Sequence, residues 1–189
     1  MTVSDQKIKT DLSKFNNEWF HPGSKIKRVL WHLTSSIFFI NPLFTPVFVK
    51  VFLLRLFGAQ IGKGIVLKPR VTIKFPWNLV IGDFAWIGEK AWIDNLAKVV
   101  IGNNCCISQG AMLLTGNHNY KKSTFDLMIG AITLEDGVWI GSHAIVCPGI
   151  TCRSHAVLSV NSVATFDLEP YSIYRGNPAV KVKDREVSE

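Results

Sequence analysis

The 189-residue chain predicts an all-β solenoid carrying a helical N-terminal segment and a C-terminal extension. Three observations predict it. From residue 59 an aliphatic side chain returns at every sixth position, a glycine often follows it, and the fifth place of each six is small or β-branched. Neither a helix nor an alternating strand has that period. A coil of three short strands joined by corners does, with three hexapeptides to a turn. The chain then divides into residues 1–58, a repeat region over 59–169 with an inserted loop at 114–133, and an extension over 170–189.

Residues 1–23 are polar, with Phe15, Trp19 and Phe20 near their end, and read as a loosely structured arm that drapes over something. From Ser24 the text SKIKRVLWHLTSSIFFINPLFTPVFVKVFLLRLFG is rich in large apolar groups and is broken at Asn41-Pro42 and Thr45-Pro46. Proline disfavours a helix interior, so the pattern predicts a helix over 24–39, a turn over 41–46 and a second helix over 47–57 ended by Gly58. These stretches fall short of the roughly 20 apolar residues that span a bilayer, and Lys50 and Arg55 interrupt the second. Two readings remain for 24–57: packing on the folded body, or a peripheral membrane contact with Lys25, Lys27 and Arg28 facing anionic headgroups.

Written in sixes, the repeat runs IGKGIV, LKPRVT, IKFPWN, then, after Leu79-Val80, IGDFAW, IGEKAW, IDNLAK, and after Val99-Val100, IGNNCC and ISQGAM. Beyond the loop come LEDGVW, IGSHAI, VCPGIT, CRSHAV, LSVNSV and ATFDLE. The first positions, Ile61, Ile87, Ile107, Ile140 and Val146 among them, are read as interior rungs. The fifth positions fit where the interior narrows. Glycine at position two suits a corner whose dihedrals or spacing a β-carbon would hinder. The two-residue slips before Ile81 and Ile101 are expected to bulge at corners and leave the core alone.

A formal charge of +7 suits nucleic acid, an anionic membrane surface or a phosphorylated ligand. Without zinc-finger spacing, a helix-turn-helix pattern or a basic patch interleaved with aromatics, nucleic acid is not the expected partner. Cys105, Cys106, Cys147 and Cys152 form no CxxC and read as free thiols in apolar surroundings. His143 and His155 are expected to point outward at corners without converging on a metal. The N-terminus lacks an apolar signal-peptide core, so a cytoplasmic location, with contact at the inner face of the cell membrane as an option, is expected.

The hexapeptide pattern, GNH in the interrupting loop, the following VWIGSHAIVCPGI and the ending IYRGNPAVKVKDR resemble acyltransferases built on a left-handed parallel β-helix, in particular the sugar O-acetyltransferases. Within these, the run from Pro76 to Leu96, with PWNL, IGD, WIGE and WIDNL, is similar to that of the colanic acid biosynthesis acetyltransferases. The likeness covers roughly 59–185 and, less closely, the N-terminal third. It implies left-handed winding, acetyl-CoA as cofactor, a sugar hydroxyl in exopolysaccharide or related glycan biosynthesis as acceptor, and a homotrimer with sites between adjacent prisms.

An alcohol is a poor nucleophile at neutral pH, so acyl transfer to a sugar needs a base, and imidazole can take the proton and return it to the leaving thiolate. The resemblance assigns that role to His118. It points to Asp94 and Asn95 for the acceptor, with Asp94 also a candidate to orient the imidazole, and Asn117 and Trp139 complete the acceptor set. For the cofactor it suggests Trp139, a backbone N–H at Gly141 or Ser142 for the developing oxyanion, and phosphate contacts from Arg175, Lys181 and Lys183. Two other functions stay open: N-acetylation of an amino sugar, and a noncatalytic carbohydrate-binding solenoid.

Overall fold

A computed structural model describes residues 7–41 and 45–189. The expected turn over 41–46 lies partly, and the start of the N-terminal arm wholly, outside the described residues.

From Gln60 the chain winds as a left-handed parallel β-helix with three sheets. The first sheet stacks Gln60–Ile61, Leu79–Ile81, Val99–Ile101, Ile132–Leu134 and Thr151–Cys152. The second stacks Val66–Leu67, Trp86–Ile87, Cys106–Ile107, Trp139–Ile140 and Val157–Leu158, followed by Ser172–Gly176 and the antiparallel edge strand Ala179–Asp184. The third stacks Thr72–Ile73, Trp92–Asp94, Met112–Leu114, Ile145–Val146 and Val163–Ala164. Position-one residues face inward throughout. In the second sheet Leu67, Ile87, Ile107, Ile140 and Leu158 form one buried ladder. Each such rung contributes about 1.5–3 kcal/mol by burial.

The corners decide one expectation and correct another. Position-two glycines are required by spacing and not by dihedral: a β-carbon on Gly88 would lie 2.5 Å from the Gln109 backbone nitrogen of the next coil. Left-handed dihedrals occur instead at position four, where Arg70, Phe84, Lys90, Asn104, His143, His155 and Asn161 all have positive φ. The slips also reach the core. Leu79 and Val99 are buried, pair in register and continue into Ile132, making an inner rung beside the position-one ladder of the first sheet.

Both slips, and the long insertion, fall on the single edge where the third sheet hands over to the first. Pro76–Asn78 forms a 3-10 turn there, Asn95 to Lys98 cross it one coil on, and the insertion leaves it as an antiparallel hairpin of Gly116–His118 and Leu127–Ile129. The other two edges keep the short corner.

The N-terminal segment packs beside this edge and over the open first coil. Helix α1, Lys25–Ser35, is capped by Ser24, whose hydroxyl accepts from the Lys27 N–H, and runs into a π-helical turn, Ser36–Ile40. Trp31 is buried and donates its indole N–H to the Ile73 carbonyl at 2.9 Å. Helix α2, Val47–Leu56, buries Leu54 against the body and turns Lys50 inward beside it. Lys50 is buried, with its ammonium 3.4 Å from the Lys68 carbonyl, and Arg55 donates to the carbonyls of Ile61 and Gly62. Burial lowers the Lys50 pKa. The residues that seemed to interrupt the helix therefore supply donors to first-coil carbonyls.

Large apolar groups face outward instead. Ile26, Val29, Leu30, Leu33 and Ile37 on the α1 side, and Phe48, Phe52 and Leu56 on α2, are each more than half exposed. Of the expected headgroup cations, Lys27 lies over the Trp77 ring at 4.6 Å and Arg28 turns towards a cavity, which leaves Lys25 outward. Among the described residues, no helix is long and apolar enough to cross a membrane.

Candidate active site

His118 ends the first strand of the inserted hairpin. Thr115, fully buried at the base, ties the hairpin to the coil below: its hydroxyl donates to the Asp94 carbonyl at 2.7 Å and accepts from the Ala97 N–H. The His118 ring is fixed from three sides. Its Nδ1 lies 3.0 Å from the Phe125 carbonyl, the Phe125 ring stacks on it at 4.5 Å, and Phe15 of the N-terminal arm tilts against it at 5.7 Å. A carbonyl only accepts, so Nδ1 carries the proton in the neutral ring and Nε2 keeps its lone pair. That is the tautomer a general base needs.

The arm reaches the hairpin through the backbone as well, because Asp11 N–H donates to the Ser123 carbonyl at 2.8 Å. Phe15 and Phe125 belong to the imidazole's setting but carried no signal in the sequence. One sits in a non-repeating arm more than a hundred residues from the histidine, and the other contributes a carbonyl, which any residue has.

Asp94 closes a third-sheet strand on the same edge, one coil below. It is 7% exposed, and its Oδ1 forms an ion pair with the Lys74 ammonium at 2.9 Å. Its Oδ2 is 4.0 Å from where a β-carbon on Gly116 would be. His118 shares Gly116's face of the hairpin strand, about 7 Å further on. The ring's hydrogen-bond partner is the Phe125 carbonyl, which orients the imidazole in the place expected of Asp94.

Asn95 departs further from expectation. It has no exposed surface; its Oδ1 accepts from Phe75 N–H at 2.9 Å and its amide donates to the Phe75 carbonyl at 2.6 Å. Its side chain is spent on fastening two coils together and presents nothing to an acceptor. Asn117 is exposed, with its Oδ1 accepting from the His118 N–H.

The residues expected to hold cofactor lie elsewhere, on the second sheet. Trp139, Gly141, Ser142 and Arg175 line a groove of about 660 Å³ together with Ser159 and Ile173. Trp139 stands outward with its indole N–H on the Ser108 hydroxyl at 2.9 Å. Ser108 and Gln109 are shared with a second groove of about 490 Å³ that continues down the sheet past Cys106 to Trp86. The Gly141 N–H is consumed by the Leu158 carbonyl at 2.7 Å, whereas no described residue accepts from the Ser142 N–H. Of the two candidate oxyanion donors, only Ser142 is available.

Two of the cationic candidates fall outside the groove walls. Lys181 pairs with Asp184 and Glu169, whose carboxylates hold its ammonium protonated well above the usual lysine range. Lys183 is exposed on the edge strand opposite Ile173. Arg185 does line the groove, though it donates to the carbonyls of Gly137 and His155. His143 covers Gly110, and His155 stacks on Tyr171 at 4.7 Å. Among the described residues no cluster of side chains could hold a metal ion.

Burial raises the pKa of every cysteine, Cys105 to about 11, and Cys105 and Cys152 are fully enclosed. A thiolate nucleophile is therefore disfavoured at neutral pH, and direct transfer suits these residues better than an acyl-enzyme. The prism also separates base from groove. His118 projects from the edge between the third and first sheets, and the groove lies on the second sheet, across the prism.

No family model matches the chain. It is 35% identical over 181 residues to WcaF of Escherichia coli (strain K12), assigned to colanic acid biosynthesis as an acetyltransferase; the alignment covers 95% of this chain and 99% of that one. The fold matches a hexapeptide-repeat acetyltransferase from Vibrio cholerae O1 biovar eltor complexed with acetyl-CoA, with a TM-score of 0.77 and 22% identity over 86% of this chain and 89% of that one. A maltose O-acetyltransferase from Clostridium difficile 630 gives a TM-score of 0.75 with 21% identity, covering 96% of this chain and all of that one. With its repeat, its hairpin histidine and a relative alignable from end to end, the chain belongs to the hexapeptide-repeat β-helix acetyltransferases, close to the WcaF-like colanic acid acetyltransferases.

Proposed function

We propose that the protein transfers acetyl from acetyl-CoA to a sugar hydroxyl during exopolysaccharide or related glycan biosynthesis. One observation carries the reading: an imidazole whose Nδ1–H is held by a backbone carbonyl, leaving Nε2 as a base on a rigid hairpin. Acetyl-CoA supplies the thioester. His118 Nε2 takes the proton of the sugar hydroxyl as its oxygen attacks the thioester carbonyl carbon, and Ser142 N–H donates to the developing oxyanion. The imidazolium then returns the proton to the departing sulfur as the C–S bond breaks.

The second-sheet groove fits the cofactor's chemistry. Its apolar rungs suit a pantetheine arm, and Arg175, with no partner among the described residues, suits a phosphate. Because base and groove lie across the prism from each other, we place the working site between copies of the chain in a homotrimer, with His118 of one prism meeting the Ser142 groove of the next. Saturation-transfer NMR tests the cofactor, and thiol release tests turnover. The expected result is acetyl-CoA binding displaced by CoA, with thiol released when a sugar is added. Binding that CoA fails to displace removes the proposal, and an N-linked product from an amino sugar moves it to N-acetylation.

Residues 24–57 contain no aspartate or glutamate, and their outward face is apolar along both helices. That combination suits an anionic lipid surface, and we assign it a peripheral membrane contact. The chain is expected to cosediment with phosphatidylglycerol vesicles more than with phosphatidylcholine vesicles, and a Phe48→Ser/Phe52→Ser variant is expected to lose that binding. Equal sedimentation of variant and wild type would remove the lipid assignment.

A further inference from the structure

Among the described residues, two buried side-chain polar atoms lack any hydrogen-bond partner: Arg28 Nε and Asp94 Oδ1. Both residues line the same cavity. It measures about 330 Å³ and lies between α1 and the elaborated edge of the β-helix, with Arg28, His32 and Ser35 on the helix side and Lys74, Trp92 and Asp94 on the other. That volume is within the range of small-molecule sites, roughly 300–1,000 Å³. Buried polar groups are normally satisfied. Asp94 Oδ1 is ion-paired with Lys74, so the Arg28 Nε–H is the unsatisfied group facing the cavity and points to a ligand that satisfies it.

The two groups offer opposite chemistry. Asp94 Oδ1, held by the Lys74 ammonium, keeps a second lone pair that can accept from a sugar hydroxyl. Arg28 Nε–H can only donate, and its guanidinium has no hydrogen bond or ion pair with any described residue. Lys74 adds a second cation 2.9 Å from Asp94, so the two cations outnumber the one carboxylate in the wall. The surplus positive charge favours an anionic oxygen over a neutral one at Arg28. Trp92, 43% exposed at the rim, offers an indole to the apolar face of a pyranose.

Position ties the cavity to the chemistry. Asp94 also reaches the base of the hairpin, where its Oδ2 lies 4.0 Å from the β-carbon position of Gly116, two residues before His118. We infer that this cavity is the acceptor site, and that its acceptor is a sugar bearing an anionic group, a phosphate ester or a carboxylate, held by Arg28 while Asp94 accepts from a hydroxyl. The inference rests on the acetyltransferase reading above and adds the substrate class. A phosphate has two sources of equal chemistry here, a free sugar phosphate and a sugar joined to lipid through diphosphate.

The test compares galactose 1-phosphate, galacturonic acid and methyl galactoside as acceptors for the full-length protein with acetyl-CoA, and a polyprenyl-diphosphate galactose in neutral detergent. Arg28→Gln is run in parallel, with circular dichroism to check its fold, and saturation-transfer NMR measures acceptor binding independently of turnover. The expected result is a kcat/KM at least tenfold higher for anionic acceptors than for methyl galactoside, and collapse of that ratio towards one in Arg28→Gln. A lipid source shows as a further preference for the polyprenyl substrate over galactose 1-phosphate. A ratio near one in the wild type, or a ratio unchanged by Arg28→Gln, overturns the inference. Turnover of methyl galactoside alone overturns it while leaving acetyl transfer standing. Arg28-dependent binding of galactose 1-phosphate with no thiol released from acetyl-CoA by any acceptor removes the acetyltransferase reading and, with it, the assignment of the cavity as an acceptor site; turnover of acceptors with no binding of any anionic sugar overturns the inference alone.

Discussion

His118→Ala is expected to lower kcat/KM by about 10² or more while the protein keeps its fold and binds acetyl-CoA. The expected loss is large because the proposed mechanism gives both proton transfers to Nε2, on a ring held by Phe15, Phe125 and the Phe125 carbonyl. The fold survives because His118 belongs to a two-stranded hairpin outside the coil and contributes no rung. Near-wild-type kcat/KM in a folded variant would sink the base assignment.

Mixing extends this test to the assembly. A Ser159→Trp variant, filling the second-sheet groove, is also expected to be inactive alone. Co-refolded in equal amounts with His118→Ala, the two should regain activity at about a quarter of the sites, since half of all bases and half of all grooves are intact and each site draws one from each of two chains. No recovery from properly assembled mixed trimers would place base and groove of a working site in one chain.

Asn95→Ala is expected to destabilise the β-helix by about 2–6 kcal/mol, read as a fall in the urea midpoint. The amide satisfies both the N–H and the carbonyl of Phe75, and its loss leaves two backbone groups buried, at about 1–3 kcal/mol each. Asn95→Asp should be no better, because it keeps an acceptor for the N–H but sets a carboxylate against a carbonyl inside the protein. A normal urea midpoint combined with a raised acceptor KM would return Asn95 to the acceptor site and refute the structural role.

The contrast between Asp94 and Asn95 shows what the sequence could and could not reveal. The six-residue period made the interior legible because one aliphatic residue per strand is a demand of stacking, repeated often enough to stand out. The corners were less legible. Arg70, His143 and His155 adopt left-handed dihedrals because the corner needs them, although side chains other than glycine give little warning of it. WIDNL names two polar neighbours equally, yet one turns its carboxylate to a cavity and the other its amide to Phe75, a difference set by which side of a strand end each occupies.

The N-terminal segment was legible in its helices but not in their orientation. A lysine and an arginine in apolar text read as interruptions, whereas Lys50 and Arg55 serve carbonyls at the open coil while Phe48 and Phe52 turn away. Periodicity reports that a helix has two faces. It does not say which one meets the body when that body ends in unpaired carbonyls.

Three successive crossings of one edge carry Lys74, then Asp94, then the hairpin of His118, each raised above the last by a single coil. The strand spacing of about 4.8 Å therefore works as a ruler, and the reach from cavity to base can change only in whole notches. With the acceptor in the proposed cavity, lengthening a loop on this edge would reshape what is grasped, and inserting or deleting a coil would reset how far the grasped group stands from the imidazole. Within this architecture, a change in acceptor size and a change in which hydroxyl is reached are separable events.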